Sequence, residues 1–461
     1  MLVGWSASDI TPARPVLLQG QFYTRVSDSV NDPLSATALA IEGQGAEGRA
    51  DQAIMISCDR VGIPDTVQEL VRKAVAPRLP GFDVRKLFLN ATHTHTAPEI
   101  AEGFYPPQGP EVMTPTEYAG FFAERVADAA AEAWLSRRPG GVAWAFGHAV
   151  VGHNRRAVYF GGSARMYGRT DEPRFDSIEG YEDHSLDVLF FWDQQCHLTG
   201  VAVNLACPSQ VTENAYYVSA DFWHEARTEV RRRHGEGLFI LPQCAPAGDQ
   251  SPHFLLYARE EAYMRARLGL SEREVIGRKI ASTVDELLPS AAHNMQAEPA
   301  FRHSVRTVEL PVRMVTDEDL QAARAELQRL EAWQPESERD SSAKFVLLHR
   351  SREVIERHGR QQAEPYYPVE LHVLRLGDVA IATNPFELFL DFGLRIKARS
   401  KALQTFLVQL ACGSGGYLPT AKAVAGKSYG AEPASNRVGP EGGQVLVEAT
   451  VEDIARLWPD A

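Results

Sequence analysis

Short apolar runs, each about strand length and each closed by a polar or Gly/Pro turn, recur along the chain. They are "LSATALAIEG", "AIMISCDRVGI", "KLFLNATHT", "LDVLFFWD", "LTGVAVNLACP", "GLFILPQCAPAGD" and "VLRLGDVAIATNPFEL". Their Val, Ile, Leu and Phe content predicts buried strands. Between them lie stretches with helical periodicity: "IPDTVQELVRKAVA", "PTEYAGFFAERVADAAAEAWL", "SADFWHEARTEVRRR", "EREVIGRKIASTVDELL" and "DEDLQAARAELQRLEAWQ". The alternation predicts an α/β fold of mixed β-sheets layered with helices. A charge-dense stretch, about 315–364, interrupts the pattern and reads as a helical insertion at the surface. Without internal repeat, low-complexity tract or evident linker, residues 1–461 read as a single domain.

Composition narrows the function classes. The 461 residues are 44% hydrophobic and 23% charged, as in ordinary globular proteins, and a net charge of −13 argues against nucleic acid as a partner. No apolar run approaches the roughly 20 residues of a spanning helix, so membrane insertion is not expected. The start, "MLVGWSASDITPARP", lacks a basic region followed by an apolar one, so cytoplasmic residence is expected. Five scattered cysteines with no CxxC pair suggest reduced thiols.

Several predicted strands end in groups capable of chemistry, where ligands of α/β sheets bind. "FLNATHTHTAPEI" presents His93 and His95, two residues apart and so on one face of an extended strand. Two imidazoles on one face suit a metal; the alternative is a polar loop whose histidines bond to backbone. "NLACPSQ" presents Cys207, "PAGDQSPH" presents Asp249, Ser251 and His253, "NPFELFLDFG" presents Glu387, and "CGSGGYLPT" presents Tyr417. Each has a plainer reading. Cys207 serves equally as a small buried hydrophobe, Asp249 and Ser251 as turn residues, and Glu387 as part of a helix start with Asn384 as N-cap.

The ordered set "DITP", "THTHTAP", "HNRR", "GDQSP", "NPFE", "GYLPT" and "YGAE" resembles the catalytic, N-terminal domain of the neutral (non-lysosomal) ceramidases, which are zinc amidohydrolases. It is most similar to their shorter ceramidase-like bacterial relatives, from Asp9 to about Ala449. The resemblance implies that His93, Glu387 and Tyr417 are zinc ligands. It makes His95 a substrate-facing histidine and Tyr429 a second active-site tyrosine, with Arg155 and Ser251 also in the site. Where the family carries its other zinc histidine, this chain has Cys207, at the family's spacing from Asp221. Three arrangements stay open: a Cys207 thiolate ligand, a three-ligand site, or completion by His224 on the following helix. The family's C-terminal β-sandwich is expected to be absent.

The function implied is a Zn2+-dependent hydrolase that cleaves an amide (N-acyl) bond of a soluble, polar small-molecule substrate by metal-activated water. The metal, His95 and Tyr429 would stabilise the oxyanion, and Arg155 would grip a polar or anionic part of the substrate. Ser251 is expected to orient water or substrate rather than to attack. Two other readings are a metal-dependent lyase or glycoside-cleaving enzyme with Tyr429 as acid/base, and a binding protein that has lost the metal.

Overall fold

The computed structural model of the protein describes residues 1–45 and 50–458. One sheet has eight strands: β1 (Leu2–Asp9), β2 (Ser35–Gln44), β3 (Ala50–Cys58), β4 (Leu87–Ala91), β5 (Arg138–His148), β6 (Ser185–Asp193), β7 (Leu198–Leu205) and β8 (Phe239–Cys244). Their spatial order is β8-β7-β6-β5-β1-β2-β3-β4. A second sheet has four: β9 (Phe301–Pro311), β10 (Tyr366–Leu376), β11 (Val379–Thr383) and β12 (Gln404–Val408), in that order. Among the helices are α1 (Asp65–Val75), α2 (Pro115–Leu135), α3 (Phe222–His234), α4 (Glu272–His293), α5 (Asp317–Ala332), α6 (Glu338–Arg360), α7 (Leu390–Arg399) and α8 (Pro440–Leu457).

Three strand pairs in these sheets, β3–β4, β7–β8 and β11–β12, are parallel. A parallel pair needs a crossover, usually helical, and α1, α3 and α7 supply the three. The long strands bury both faces, which is why the sequence shows continuous apolar runs rather than alternation. Along β3, Ile54 and Ile56 face α1 and α2, whereas Met55 faces the second sheet; along β6, Val188 and Phe190 face α3 and α4, whereas Leu189 and Phe191 face the second sheet. From the other side, Leu374, Leu376, Ile381, Phe406 and Val408 complete that central layer, and the far face of their sheet packs on α7 and α8. The layers therefore run helix, sheet, sheet, helix. The mixed α/β class read from the sequence is the class found.

Three strands, β1, β5 and β9, lie in segments the apolar runs did not mark. β5 ("RPGGVAWAFGH") has two glycines in its first four residues, and β9 ("FRHSVRTVELP") interleaves Arg302, Arg306 and Glu309 with its apolar residues. The stretch about 315–364 forms a helical hairpin, α5 and α6, inserted between β9 and β10. Each of its helices begins at a side-chain cap, from Thr316 and Ser337.

The eight-stranded sheet coils until its edges meet. Ser57 of β3 and Asn90 of β4 both donate to the Pro242 carbonyl of β8, the latter at 3.2 Å. Pro242 offers no N–H to a partner, which confines it to an edge strand such as this. The contact brings the carboxyl ends of β4, β7 and β8 to one place. The central layer makes a stability prediction. Phe191 is fully buried there, edge-on to Trp5 at 5.5 Å, so Phe191→Ala should cost about 3–5 kcal/mol in urea unfolding. Leu135→Ala, at an exposed helix end, should stay within about 0.5 kcal/mol. Comparable losses in the two variants would contradict this assignment of the core.

Candidate functional site

Beyond Ala91 the chain leaves β4 and turns at His93, whose φ of 67° is left-handed. The two imidazoles therefore meet through a turn and not through a strand's pleat. Their Nε2 atoms lie 3.3 Å apart, rings edge to face. The threonines serve as anchors: the Thr94 and Thr96 hydroxyls donate to the Ser219 carbonyl at 2.7 and 2.9 Å. Arg25, fully buried, donates to the His95 carbonyl at 2.7 Å. Gly20 lies against the His95 ring with a φ of 108°, and a Cβ there would fall 2.6 Å from the imidazole. Glycine is needed at that position for both conformation and space.

The tautomer of His93 follows from its partners. Nδ1 lies 2.7 Å from the Val61 carbonyl, which only accepts, so Nδ1 carries a proton. Nε2 faces Glu387 Oε2 at 3.4 Å. Burial pushes the Glu387 carboxyl up, but His93, Arg155 and Tyr417 outweigh it and hold it below the usual value. Glu387 and Tyr417 are brought together by backbone: Phe386–Leu388 and Gly416–Leu418 pair as short parallel strands with Glu387 opposite Tyr417. Burial and the adjacent Glu387 hold the Tyr417 phenol well above its ordinary value. An imidazole nitrogen, a carboxylate and a phenol thus converge at one point.

These donors suit zinc. Two ligands each about 2.0–2.1 Å from one tetrahedral ion stand about 3.4 Å apart, the separation of His93 Nε2 and Glu387 Oε2. His93, Glu387 and Tyr417 would be three protein ligands with a position left open, the pattern of catalytic rather than structural zinc. The site communicates with solvent, since the Glu387 and Glu213 side chains keep 16% and 18% exposure.

Arg155 is buried beneath this cluster. Nη1 donates to Tyr167 Oη at 2.9 Å and Gln210 Oε1 at 3.1 Å; Nη2 donates to the Gly248 carbonyl at 2.9 Å and Tyr417 Oη at 3.2 Å. The fork expected to grip substrate is spent on the protein. Its hold on Gln210 Oε1 turns the amide nitrogen toward His95 Nε2 at 2.8 Å. His95 therefore accepts through Nε2, and burial keeps its imidazole neutral by lowering its pKa well below the usual value. Ser251 is fully buried and its Oγ accepts from Tyr167 Oη at 3.2 Å and from the His253 N–H at 3.1 Å. Among the described residues no imidazole or carboxylate bonds to that Oγ. Tyr429 is half-buried, edge-on to both Tyr417 and Phe22. Burial and Glu387 push its phenol up to about 12, leaving it a proton donor at neutral pH.

Two candidates from the sequence lie apart from this group. Cys207 is buried in the apolar cluster of Leu205, Phe222 and Trp223, its thiol turned to the Pro208 carbonyl at 3.5 Å. His224 is half-buried on α3, and among the described residues its ring makes no hydrogen bond or ion pair. Asp249 serves architecture: it accepts from the Leu390 N–H and Asn154 Nδ2, and burial pushes its carboxyl up to about 6. Glu387 does not start a helix, since α7 begins only at Leu390. Tyr167, Gln210 and Glu213 were not found from sequence; Glu213 stands 3.7 Å from His95 Nδ1 and 3.5 Å from His253 Nε2. Tyr167 and Glu213 sit in no recognisable motif, Gln210 closes the quoted "NLACPSQ" without standing out in it, and each reaches the site only through tertiary contact.

A second buried polar group joins Glu370, His372 and Cys412, whose ligand-type atoms fall within 4.8 Å of one another. There the Arg72 fork takes both Glu370 oxygens at 2.7 and 3.0 Å, and His372 bonds Glu370 at 2.8 Å and His303 at 2.9 Å. This arrangement ties α1 to the second sheet with its polar atoms paired among themselves.

Among solved structures, the neutral ceramidase from Pseudomonas aeruginosa superposes with a TM-score of 0.70 over 99% of this chain and 74% of that one, at 18% identity. A ceramidase complexed with C2 gives 0.68 over 99% and 75%, at 16% identity. The fold is ceramidase-like. The sequence matches no family model and no curated protein, so this ceramidase-like chain is tied to those structures through its architecture. Its site yields a further prediction. In "GDQSP", a Cβ on Gly248 would sit 2.3 Å from the Glu387 carbonyl. Gly248→Ala should force the two segments apart at a cost of about 1–3 kcal/mol, read as a lowered melting temperature; an unchanged melt would mean that the turn has room to spare.

Proposed function

We propose that this protein is a zinc-dependent hydrolase that cleaves the amide (N-acyl) bond of a small polar substrate. The observation that carries the reading is the convergence of His93 Nε2, the Glu387 carboxylate and the Tyr417 phenol at a solvent-connected point. These three residues would hold the metal, with Cys207 left in the core. Bound there, zinc supplies Lewis acidity, which acidifies water and polarises a carbonyl.

The chain's own residues complete the reaction. Neutral His95 exchanges the Gln210 amide at Nε2 for the attacking water and takes a proton from it. The water oxygen bonds to the carbonyl carbon, the C–N bond breaks, and the proton held on His95 passes to the departing nitrogen. Tyr429 donates to the developing oxyanion. Arg155 fixes Gln210 and Tyr417, and so sets His95 and the ligand set in register. Ser251, held by Tyr167, orients water or substrate. The resemblance to ceramidases supplies the bond class. The polar substrate rests on the polar and charged side chains at the mouth. No helix among the described residues is long and apolar enough to cross a membrane.

Elemental analysis of the purified protein should find about one zinc per chain; a protein with no bound metal and no activity gained on adding zinc would refute the proposal. The tyrosines separate two roles. Tyr417→Phe should weaken metal retention, whereas Tyr429→Phe should keep the metal and lose about 10²–10³ in turnover. Equal metal loss in both would show that the division is wrong. Cys207→Ala should retain the wild-type metal content, and its loss would place the thiolate in the ligand set after all.

A further inference from the structure

The charged hairpin does more than decorate the surface, because α6 is bonded to both segments that flank the site. On one side it holds the loop that carries Gly20 over His95. Arg339 stacks on the Tyr23 ring at 3.8 Å, Ser342 Oγ accepts from the Thr24 N–H at 3.0 Å, and the Arg350 guanidinium lies 4.6 Å from the Phe22 ring centre. On the other side it holds the segment after Tyr429. Arg350 Nη2 donates to Ser435 Oγ at 3.0 Å, and Arg357 Nη1 donates to the Pro433 and Asn436 carbonyls at 2.7 and 2.8 Å.

Arg350 is the residue where the two sides meet. Its guanidinium stands 5.9 Å from the Tyr429 ring centre, and Tyr429 is edge-on to Phe22 at 5.4 Å. It is largely buried, with 17% of the side chain exposed, and Nη2 makes its one close hydrogen bond, to Ser435, with Glu432 farther off at 3.5 Å. Nε and Nη1 bond to no group among the described residues and are not sealed from solvent. A guanidinium fixed on one edge by protein, flanked by two aromatic rings and open along its other edge, is pre-organised for a planar anion.

We propose that Arg350 is a specificity-determining residue that binds a carboxylate at the far end of the substrate's acyl chain, one aromatic ring beyond the scissile carbonyl. The inference rests on the amide-hydrolase reading for the identity of the reacting bond, and on the hairpin alone for the anionic end. The substrates would be half-amides of short dicarboxylic acids rather than neutral acyl amides.

The test compares glutaric acid monoanilide with pentananilide, which match in chain length and differ in the terminal carboxylate. Calorimetric binding to the full-length, zinc-loaded protein should favour the carboxylate ligand by about tenfold or more, and the preference should shrink as salt rises. Arg350→Met should abolish the preference while leaving pentananilide affinity unchanged. Arg350→Lys, which keeps the charge without the fork, should retain part of it and serves if the methionine variant fails to fold. Equal binding of the two anilides to the wild type, or a preference that survives in Arg350→Met, would overturn the inference. If the monoanilide binds through Arg350 but is never cleaved, the hydrolase reading fails and the carboxylate site stands.

Discussion

The dry layer between the two sheets is the constraint from which the remaining features follow. Met55, Phe88, Leu189, Phe191 and Leu241 from one sheet interlock with Leu374, Ile381, Phe406 and Val408 from the other. Strands buried on both faces have nowhere along their length to place a polar side chain without a partner. Chemistry is thereby displaced to strand ends. Coiling of the larger sheet then decides which ends meet, since the contact of Ser57 and Asn90 with Pro242 draws β4 and β8 together. The catalytic candidates on "THTHT" and "GDQSP" are neighbours because that edge contact exists.

Irregular backbone around such a site needs hydrogen-bond partners, and buried arginines supply many of them. Arg25 donates to the carbonyls of Gln19, His95 and Ala215. Arg60 donates to Pro98, and Arg156 to Ala423, Lys427 and Tyr429 while paired with Glu179. A planar fork with five donors can satisfy several carbonyls from one position, which lysine cannot do. These residues are rigid posts for loops, and their charge is absorbed by backbone dipoles and buried carboxylates. The overall acidity of the chain therefore says little about the potential inside the site.

The sequence made the strand-end residues legible because periodicity and short motifs are local properties. His93, His95, Glu387 and Tyr417 were each visible at the close of an apolar run, and helices such as α2 showed their period without ambiguity. Gln210 and Tyr167 were not visible, because their function consists of reaching Arg155 across the fold. The setting of Cys207 was equally hidden: a thiol one turn beyond β7 can face the cleft or the core, and Phe222 and Trp223 packing behind it places it in the core. β5 was missed because the glycines that allow Trp192 and Met295 to approach closely also dilute its strand signal.

His93 belongs to the first sheet's loops, whereas Glu387 and Tyr417 emerge from the second, beyond β11 and β12. A growing chain completes the eight-stranded sheet when β8 emerges and still has only one of these three groups. Closing contacts of such large sequence separation is slow and comes late in folding. Partly folded forms hold an isolated imidazole on one side and a carboxylate–phenol pair on the other. The cleft is thus a product of completed assembly, formed only when both halves of the chain have arrived.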